Sequence, residues 1–157
     1  MVYVKLIRQS DAGADYLRNA VSYLENRERA ICSGGYGVDP YNLNATFAQM
    51  IAVKIYFYKT SGNQLIHLIV SFDESVADVF QAAEYCRTAA SYFASQFQVL
   101  WCLHQKDRGC SHFHAHIVVN SVSYINGKMF HSGPMEMNAF ASFVGSVTGR
   151  PCRWGFQ

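Results

Sequence analysis

The clearest hydrophobic pattern in the chain is a period of two in two neighbouring segments. Residues 98–104 alternate as a β-strand does, and residues 112–120 do so again after a polar connection that contains glycine. Successive side chains of a strand point to opposite faces. One face therefore carries Phe113, Ala115, Ile117 and Val119, and the other carries His112, His114, His116, Val118 and Asn120. The two segments are therefore predicted to form a β-hairpin with one core face.

The remaining elements are predicted from alternation and from the helical period of 3.6 residues. Strands are expected at residues 2–8 and 65–72, and a short strand at 128–131 returns from a turn at Asn126-Gly127. Helices are expected at residues 12–29, over about fifteen residues after a cap at Asn42 or Asn44, at 74–97 and at 135–146. Residues 30–42 read as a glycine-containing loop, and the basic, aromatic segment from Arg150 to Phe156 as a closing tail.

This order of elements predicts the fold class. One strand is followed by two helices, a strand, a helix, three consecutive strands and a last helix, and consecutive strands joined by short turns pair antiparallel. We therefore expect an α+β domain whose central, mainly antiparallel sheet has about five strands with helices packed on it.

Composition narrows the class of protein. The 157 residues are long enough for one full core, no linker or repeat divides them, and a net charge of +2 permits a polyanionic partner without requiring one. The cysteines are odd in number, form no CxxC pair and follow no signal peptide: Cys32, Cys86, Cys102, Cys110 and Cys152. With no apolar run of about 18 residues, we expect a soluble, cytoplasmic protein with reduced thiols and no membrane insertion.

Four histidines concentrate at one end of the predicted hairpin. His112, His114 and His116 share a strand face, and His104 lies on the neighbouring strand within cross-strand reach. Imidazole is the commonest side-chain metal ligand, and two neighbours on one face can bind one ion at about 2.1 Å each. The spacing favours a metal site over the plainer interpretation, a histidine-rich structural face.

The first predicted helix carries two tyrosines beside its apolar stripe. At about 100° per residue, Tyr16 and Tyr23 fall together, half buried and half available. From geometry alone, both are interpreted as packing residues at the edge of the core.

Taken together, these segments resemble three motifs of relaxases, the mobilisation nucleases of plasmids and integrative elements within the HUH endonuclease group. The matching segments are Ala20-Val-Ser-Tyr23-Leu-Glu-Asn-Arg, His67-Leu-Ile-Val-Ser71-Phe-Asp, and His104 with His112-Phe-His114-Ala-His116-Ile-Val-Val-Asn120 and Asn126-Gly-Lys-Met-Phe-His131. They occur in the family's order and cover residues 20 to 131. The resemblance implies a single relaxase catalytic domain over residues 1–157, alone or as the N-terminal part of a longer protein.

The resemblance also assigns roles to residues. It implies Tyr23 as nucleophile and His104, His114 and His116 as metal ligands. The supporting residues that it implies are His112, Asp107, Asn120, Ser71 and His67. Many relatives have an aspartate two residues after the first histidine, whereas Asp107 lies three residues after His104, so the role of Asp107 and the choice between His112 and His114 stay open.

The activity implied is metal-dependent, site- and strand-specific DNA nicking and rejoining at a transfer origin, through a 5′-phosphotyrosyl intermediate that initiates conjugative mobilisation. The expected ion is Mn²⁺ or Mg²⁺, with Zn²⁺, Ni²⁺ or Co²⁺ retained on purification. The expected partners are single-stranded DNA at the transfer origin, accessory relaxosome proteins and a coupling protein.

Residues for DNA binding are sought in loops near the hairpin and among aromatic side chains, since single strands need a basic groove and stacking platforms. The basic candidates are Arg27, Arg29, Lys106, Arg108 and Lys128, and the aromatic candidates are Tyr36, Tyr41, Tyr124, Phe130 and Trp154.

Two other functions remain open from the sequence. A rolling-circle replication initiator or single-tyrosine transposase of the HUH group would place its tyrosine after the histidine strand, where Tyr124 is the one candidate. A non-catalytic, metal-stabilised nucleic-acid-binding module would need no tyrosine near the histidines.

Overall fold

The structure is a computed structural model that describes residues 1–8, 13–24, 30–105 and 112–157. Within these ranges a six-stranded sheet runs in the order β2-β4-β5-β3-β1-β6. The strands are β1 (Val2–Ile7), β2 (Ala30–Tyr36), β3 (Leu65–Ser71), β4 (Val99–Gln105), β5 (Phe113–Asn120) and β6 (Cys152–Phe156). All neighbouring pairs are antiparallel except β1 and β6, which are parallel, so the predicted α+β class with a mainly antiparallel sheet is confirmed.

Four helices are described: α1 (Ala14–Leu24), α2 (Leu43–Tyr56), α3 (Val79–Ser91) and α4 (Pro134–Thr148). The Asn42 side chain accepts a hydrogen bond from the backbone N–H of Ala45 and so begins α2, as one of the two predicted caps. The Asp78 carboxylate accepts from the Phe80 N–H in the same way at α3. No helix among the described residues is long and apolar enough to cross a membrane.

Both faces of the sheet are packed, each by different helices. Helices α3 and α4 cover one face, where Leu68, Ile117 and Phe140 belong to the larger core cluster. Helices α1 and α2 cover part of the other face, where Leu17, Leu24 and Met50 pack on neighbouring residues of β4 and β5. The second face, which also carries the histidines and is called the histidine face below, is thus partly helix-covered and partly open.

Several predicted element boundaries are wrong. Residues 30–36 form strand β2 on the sheet edge where a loop was predicted, and residues 152–156 form β6 where a tail was predicted. Helix α3 covers 79–91 rather than 74–97, and residues 128–131 make one isolated bridge, Val122 with Met129, rather than a strand. Part of the predicted helix at 12–29 lies outside the described residues.

The hairpin of β4 and β5 has the predicted faces. In its register His104 is paired with His114 and Cys102 with His116, and on the other side His114 is paired with Ser71 of β3. The sheet therefore places histidines from two strands next to each other beneath the end of α1.

Candidate functional site

Three histidines form the centre of the site. One ring nitrogen from each of His104, His114 and His116 lies within 4.8 Å of the others. Their ring centroids are 4.4 Å apart for His104 and His116, 5.0 Å for His114 and His116, and 5.5 Å for His104 and His114. Nitrogens that bind one ion at about 2.1 Å each lie closer to one another than the 4.8 Å limit found here. Side-chain shifts of about 1 Å would therefore complete a metal site. We call these three residues the histidine cluster.

Hydrogen bonds orient two of these rings. His104 Nε2 lies 3.0 Å from the carbonyl oxygen of Leu24, at the end of α1. Because a carbonyl only accepts, Nε2 carries the proton and the lone pair of the neutral ring is on Nδ1. His116 Nδ1 lies 3.1 Å from His67 Nε2, while His116 Nε2 is buried and has no hydrogen-bond partner among the described residues. A buried ring nitrogen without a protein partner, beside two other imidazoles, fits a metal ligand.

Burial lowers the pKa of two imidazoles at this site, those of His67 and His116. Desolvation, followed by the charge of neighbouring His104, lowers the pKa of His67 to about 4. The same two causes, with smaller contributions from His67 and His114, lower the pKa of His116 further. A neutral imidazole has the lone pair that a metal ion needs, so His116 is prepared to bind a cation at neutral pH.

Helix α1 presents Tyr23 to the histidines. Leu17, Val21 and Leu24 are buried against the sheet and fix the helix, while Tyr23 on the adjoining side is 50% exposed. Its ring centroid lies 5.5 Å from that of His116 and 6.3 Å from that of His104. The Tyr23 ring thus faces both the histidine cluster and solvent.

Tyr16 has a different environment. Its half-buried side chain packs against the apolar cluster of α1 and the sheet, and burial raises its pKa. It does not line the cleft that contains Tyr23. The two tyrosines that sequence periodicity left equivalent are therefore distinguished by the structure.

A cleft of about 330 Å³ opens beside the cluster and Tyr23. Ser71 lines it from β3, paired with His114 across the sheet. Lys5 of β1 lines the cleft as well. Lys5 is paired with Ile69 of β3, which is paired with His116 of β5, so the backbones of Lys5 and His116 are two strand spacings, about 10 Å, apart. The sequence analysis missed Lys5: it stands at a polar position of an alternating strand, and strand order is needed to place it here.

The other implied supporting residues lie at various distances from the cluster. His67 contacts His116, and His112 lies at the cleft with its Nε2 3.4 Å from Glu74 Oε1. Asn120 was expected near the site, but it lies four residues beyond His116, about 13 Å along the strand. Its amide donates to the Met50 carbonyl and to the Gln98 side chain, which ties α2 to the sheet. Strand length thus separates Asn120 from the histidines.

Of the basic candidates for DNA binding, Lys128 is the one that lies among the described residues. Arg27, Arg29, Lys106, Arg108 and the supporting candidate Asp107 lie outside the described residues. Lys128 was expected near the hairpin end that carries the histidines, but it lies beyond the opposite end of β5, lining a separate cavity with Phe93 and Phe130.

The aromatic candidates lie away from the cleft too. The hydroxyls of Tyr36 and Tyr124 donate to the carbonyls of Arg87 and Ala94, and the Trp154 indole N–H donates to Asn138. Phe130 packs on Phe93 and Phe97. Tyr41, which is 87% exposed, remains free to stack a base, although it does not line the cleft.

Comparison with known proteins agrees with this geometry. A solved structure described as the molecular basis of vancomycin resistance transfer in Staphylococcus aureus matches with a TM-score of 0.61 at 10% identity, covering 99% of this chain and 96% of that one. At that identity the likeness concerns the fold. A comparison with curated protein sequences gives no match. The family model for relaxases, described as the MobA/VirD2-like nuclease domain, matches residues 16–144, which include most of α1, the histidine strands and four of the six strands of the sheet. The chain belongs to the MobA/VirD2-like relaxase nuclease family.

Proposed function

We propose that this protein nicks and rejoins one DNA strand at a specific site in a transfer origin, through a 5′-phosphotyrosyl intermediate, and so initiates conjugative mobilisation. Membership of the relaxase nuclease family supports DNA nicking in conjugative transfer. The observation that carries the finer proposal is the position of Tyr23, whose partly exposed ring stands 5.5 Å from His116 and 6.3 Å from His104.

The proposed metal ligands are His104, His114 and His116, which can hold one ion. When bound, a divalent ion supplies positive charge beside the non-bridging oxygens of a scissile phosphate. Mn²⁺ or Mg²⁺ is the proposed physiological ion. Zn²⁺, Ni²⁺ or Co²⁺ would accompany the purified protein, because imidazole nitrogen binds these ions more tightly.

The proposed nucleophile is Tyr23. Its phenolic oxygen forms a bond to phosphorus as the bond from phosphorus to the 3′ oxygen of the preceding nucleotide breaks. The phenol loses its proton to solvent, and the leaving oxygen takes one up to become a 3′ hydroxyl. One phosphodiester replaces another, so attack by that hydroxyl on the phosphotyrosyl bond rejoins the strand.

The cleft supports single-stranded DNA as the substrate. Tyr23 lies in a cleft open to solvent, and Lys5 and Ser71 on its floor can bind phosphate oxygens by a charged and a neutral hydrogen bond. Assembly with accessory relaxosome proteins and a coupling protein is part of the same proposal, and family membership is its only support.

The replication-initiator alternative requires a nucleophile downstream of the histidine strand. Tyr124 follows the far end of β5, and its hydroxyl donates a 2.7 Å hydrogen bond to the Ala94 carbonyl. A hydroxyl held there is turned away from the histidine cluster. The position of Tyr23 therefore favours a relaxase over an initiator or a single-tyrosine transposase, and over a binding module without a nucleophile.

The proposal is tested with single-stranded DNA that carries the transfer origin of the protein's own element, labelled at either end, in the presence of Mn²⁺. We expect a covalent protein–DNA species that survives denaturation and carries only the 3′-end label, because the 5′ phosphate of the downstream fragment is the one joined to protein. Chelation before DNA addition should abolish it. Metal-dependent cleavage without a covalent species, or an adduct carrying the 5′-end label, would contradict the proposal.

A further inference from the structure

His67 stands behind the histidine cluster on the neighbouring strand. In the sheet register it is paired with Val118 of β5, two residues from His116, and its ring centroid lies 5.4 Å from that of His116. It is 9% exposed, and its Nε2 lies 3.1 Å from His116 Nδ1. Two buried imidazoles are therefore joined by a direct nitrogen–nitrogen hydrogen bond.

That hydrogen bond allows only two arrangements of the protons. Between two neutral rings, either His116 Nδ1 donates to His67 Nε2 or the reverse. In the first arrangement the lone pair of His116 is on Nε2, the buried atom without a partner among the described residues. In the second, Nε2 would carry the proton and could not bind an ion. Only the first arrangement leaves His116 able to bind a cation through Nε2.

We propose that His67 is a positioning residue: by accepting the proton of His116 Nδ1 it holds the His116 ring in place and keeps the Nε2 lone pair directed into the histidine cluster. This inference rests on the proposed function in taking the cluster as a metal site. His104 is held in the same way, because the Leu24 carbonyl accepts its Nε2 proton and so selects its tautomer. Each of these two ligand rings thus has its own acceptor on a different element.

Packing alone does not account for an imidazole at this position. Its neighbours in the sheet register are apolar, namely Leu65 and Ile69 along β3 with Val118 and Ile7 on the flanking strands, and the Tyr23 ring lies 6.4 Å from the His67 ring. An aliphatic side chain would fill the space without the cost of burying polar ring nitrogens. The hydrogen bond to His116 is what the imidazole adds.

Two substitutions separate positioning from packing. His67→Gln keeps an acceptor, since the glutamine oxygen can reach the place of Nε2, whereas His67→Leu keeps the volume and removes the acceptor. Mn²⁺ affinity measured by calorimetry on the metal-free protein should fall by about 10–100-fold in His67→Leu and stay near wild type in His67→Gln. Thermal unfolding of the metal-free variants reports packing separately. Equal Mn²⁺ affinity in His67→Leu and wild type, or equal losses in the two variants, would overturn the proposal.

The tautomer can be read directly, without metal and without activity. In ¹⁵N NMR of the imidazole rings at neutral pH, His116 should carry its proton on Nδ1 in wild type and in His67→Gln. A proton on Nε2 of wild-type His116 would overturn the proposal. A wild-type protein that binds no ion would instead contradict the proposed metal site, while the tautomer of His116 would still report on the role of His67.

Discussion

At the scale of single residues, the neighbours His112 and His114 differ in what they face. His114 belongs to the histidine cluster, whereas His112 pairs with the exposed carboxylate of Glu74. We predict that His114→Gln lowers Mn²⁺ affinity by more than about 100-fold, since removing a ligand costs more than removing its hydrogen-bond partner, and that His112→Gln changes it by less than about threefold. Calorimetric titration of both variants with Mn²⁺ measures the two affinities, and because both carry the same substitution each variant is the control for the other. The reverse ranking would assign the ligand to His112.

Much of the candidate site follows from alternation along one strand. The period of two placed His114 and His116 on one face, and hairpin pairing added His104, because these are local properties of β4 and β5. Lys5 and the carbonyl of Leu24 could not be found in this way. Their positions depend on strand order and on where α1 ends, and no short stretch of sequence encodes either.

At the scale of elements, strand β2 shows why glycine misleads a local prediction. Gly34 and Gly35 indicate a loop by propensity, yet a Cβ at Gly34 would lie 2.4 Å from a ring carbon of Trp101 on the paired strand. Glycine is present there because the indole occupies the space of a side chain, a reason that only the tertiary structure contains.

This packing predicts a specific loss of stability. Gly34→Ala should lower the free energy of unfolding by about 1–3 kcal/mol, because the added methyl group overpacks against Trp101. Urea denaturation measures the loss. The double variant Gly34→Ala with Trp101→Leu should lose less stability than the sum of the losses in the two single variants, because the smaller leucine leaves room for the added methyl group. Full additivity would show that the indole is not the cause.

Strand β6 was likewise missed, although residues 152–156 alternate. Its partner is β1, at the other end of the chain, and the two pair in parallel only after α4 has crossed the sheet. Gly149 ends α4 with φ of +66°, and the chain then turns back toward β1. The sequence analysis ended this helix at residue 146 and treated the segment after it as a tail, because the partner strand lies at the other end of the chain.

Strand β1 contributes Lys5 to the cleft and supports a prediction about DNA. Lys5→Gln should weaken binding of single-stranded DNA by about 3–10-fold at moderate salt, because one phosphate contact is lost. The slope of the logarithm of affinity against the logarithm of salt concentration should become shallower by roughly one. Fluorescence anisotropy across a salt series measures both. Lys59→Gln is the matched control, since Lys59 donates to the Gly127 carbonyl away from the cleft. Equal effects in the two variants would remove Lys5 from the substrate path.

At the scale of the whole molecule, the buried imidazoles make stability depend on pH. The pKa of His67 is about 4 in the folded protein and about 6.5 when exposed. The unfolded chain therefore binds more protons between these values, and the free energy of unfolding should fall as pH drops from about 6.5 to 4, by about 3 kcal/mol for this group. Urea denaturation of the metal-free protein at several pH values measures it. The slope should diminish in His67→Leu, and an unchanged slope would contradict this origin.

The central claim is that Tyr23 attacks the phosphate beside the histidine cluster. Tyr23→Phe removes only the hydroxyl, so folding and binding of single-stranded DNA should remain near wild type while the covalent protein–DNA species formed with Mn²⁺ disappears. Tyr16→Phe, on the same helix but outside the cleft, should retain that species. Gel analysis of labelled DNA after denaturation is the measurement. An adduct that persists in Tyr23→Phe, or that is lost only in Tyr16→Phe, would contradict the account.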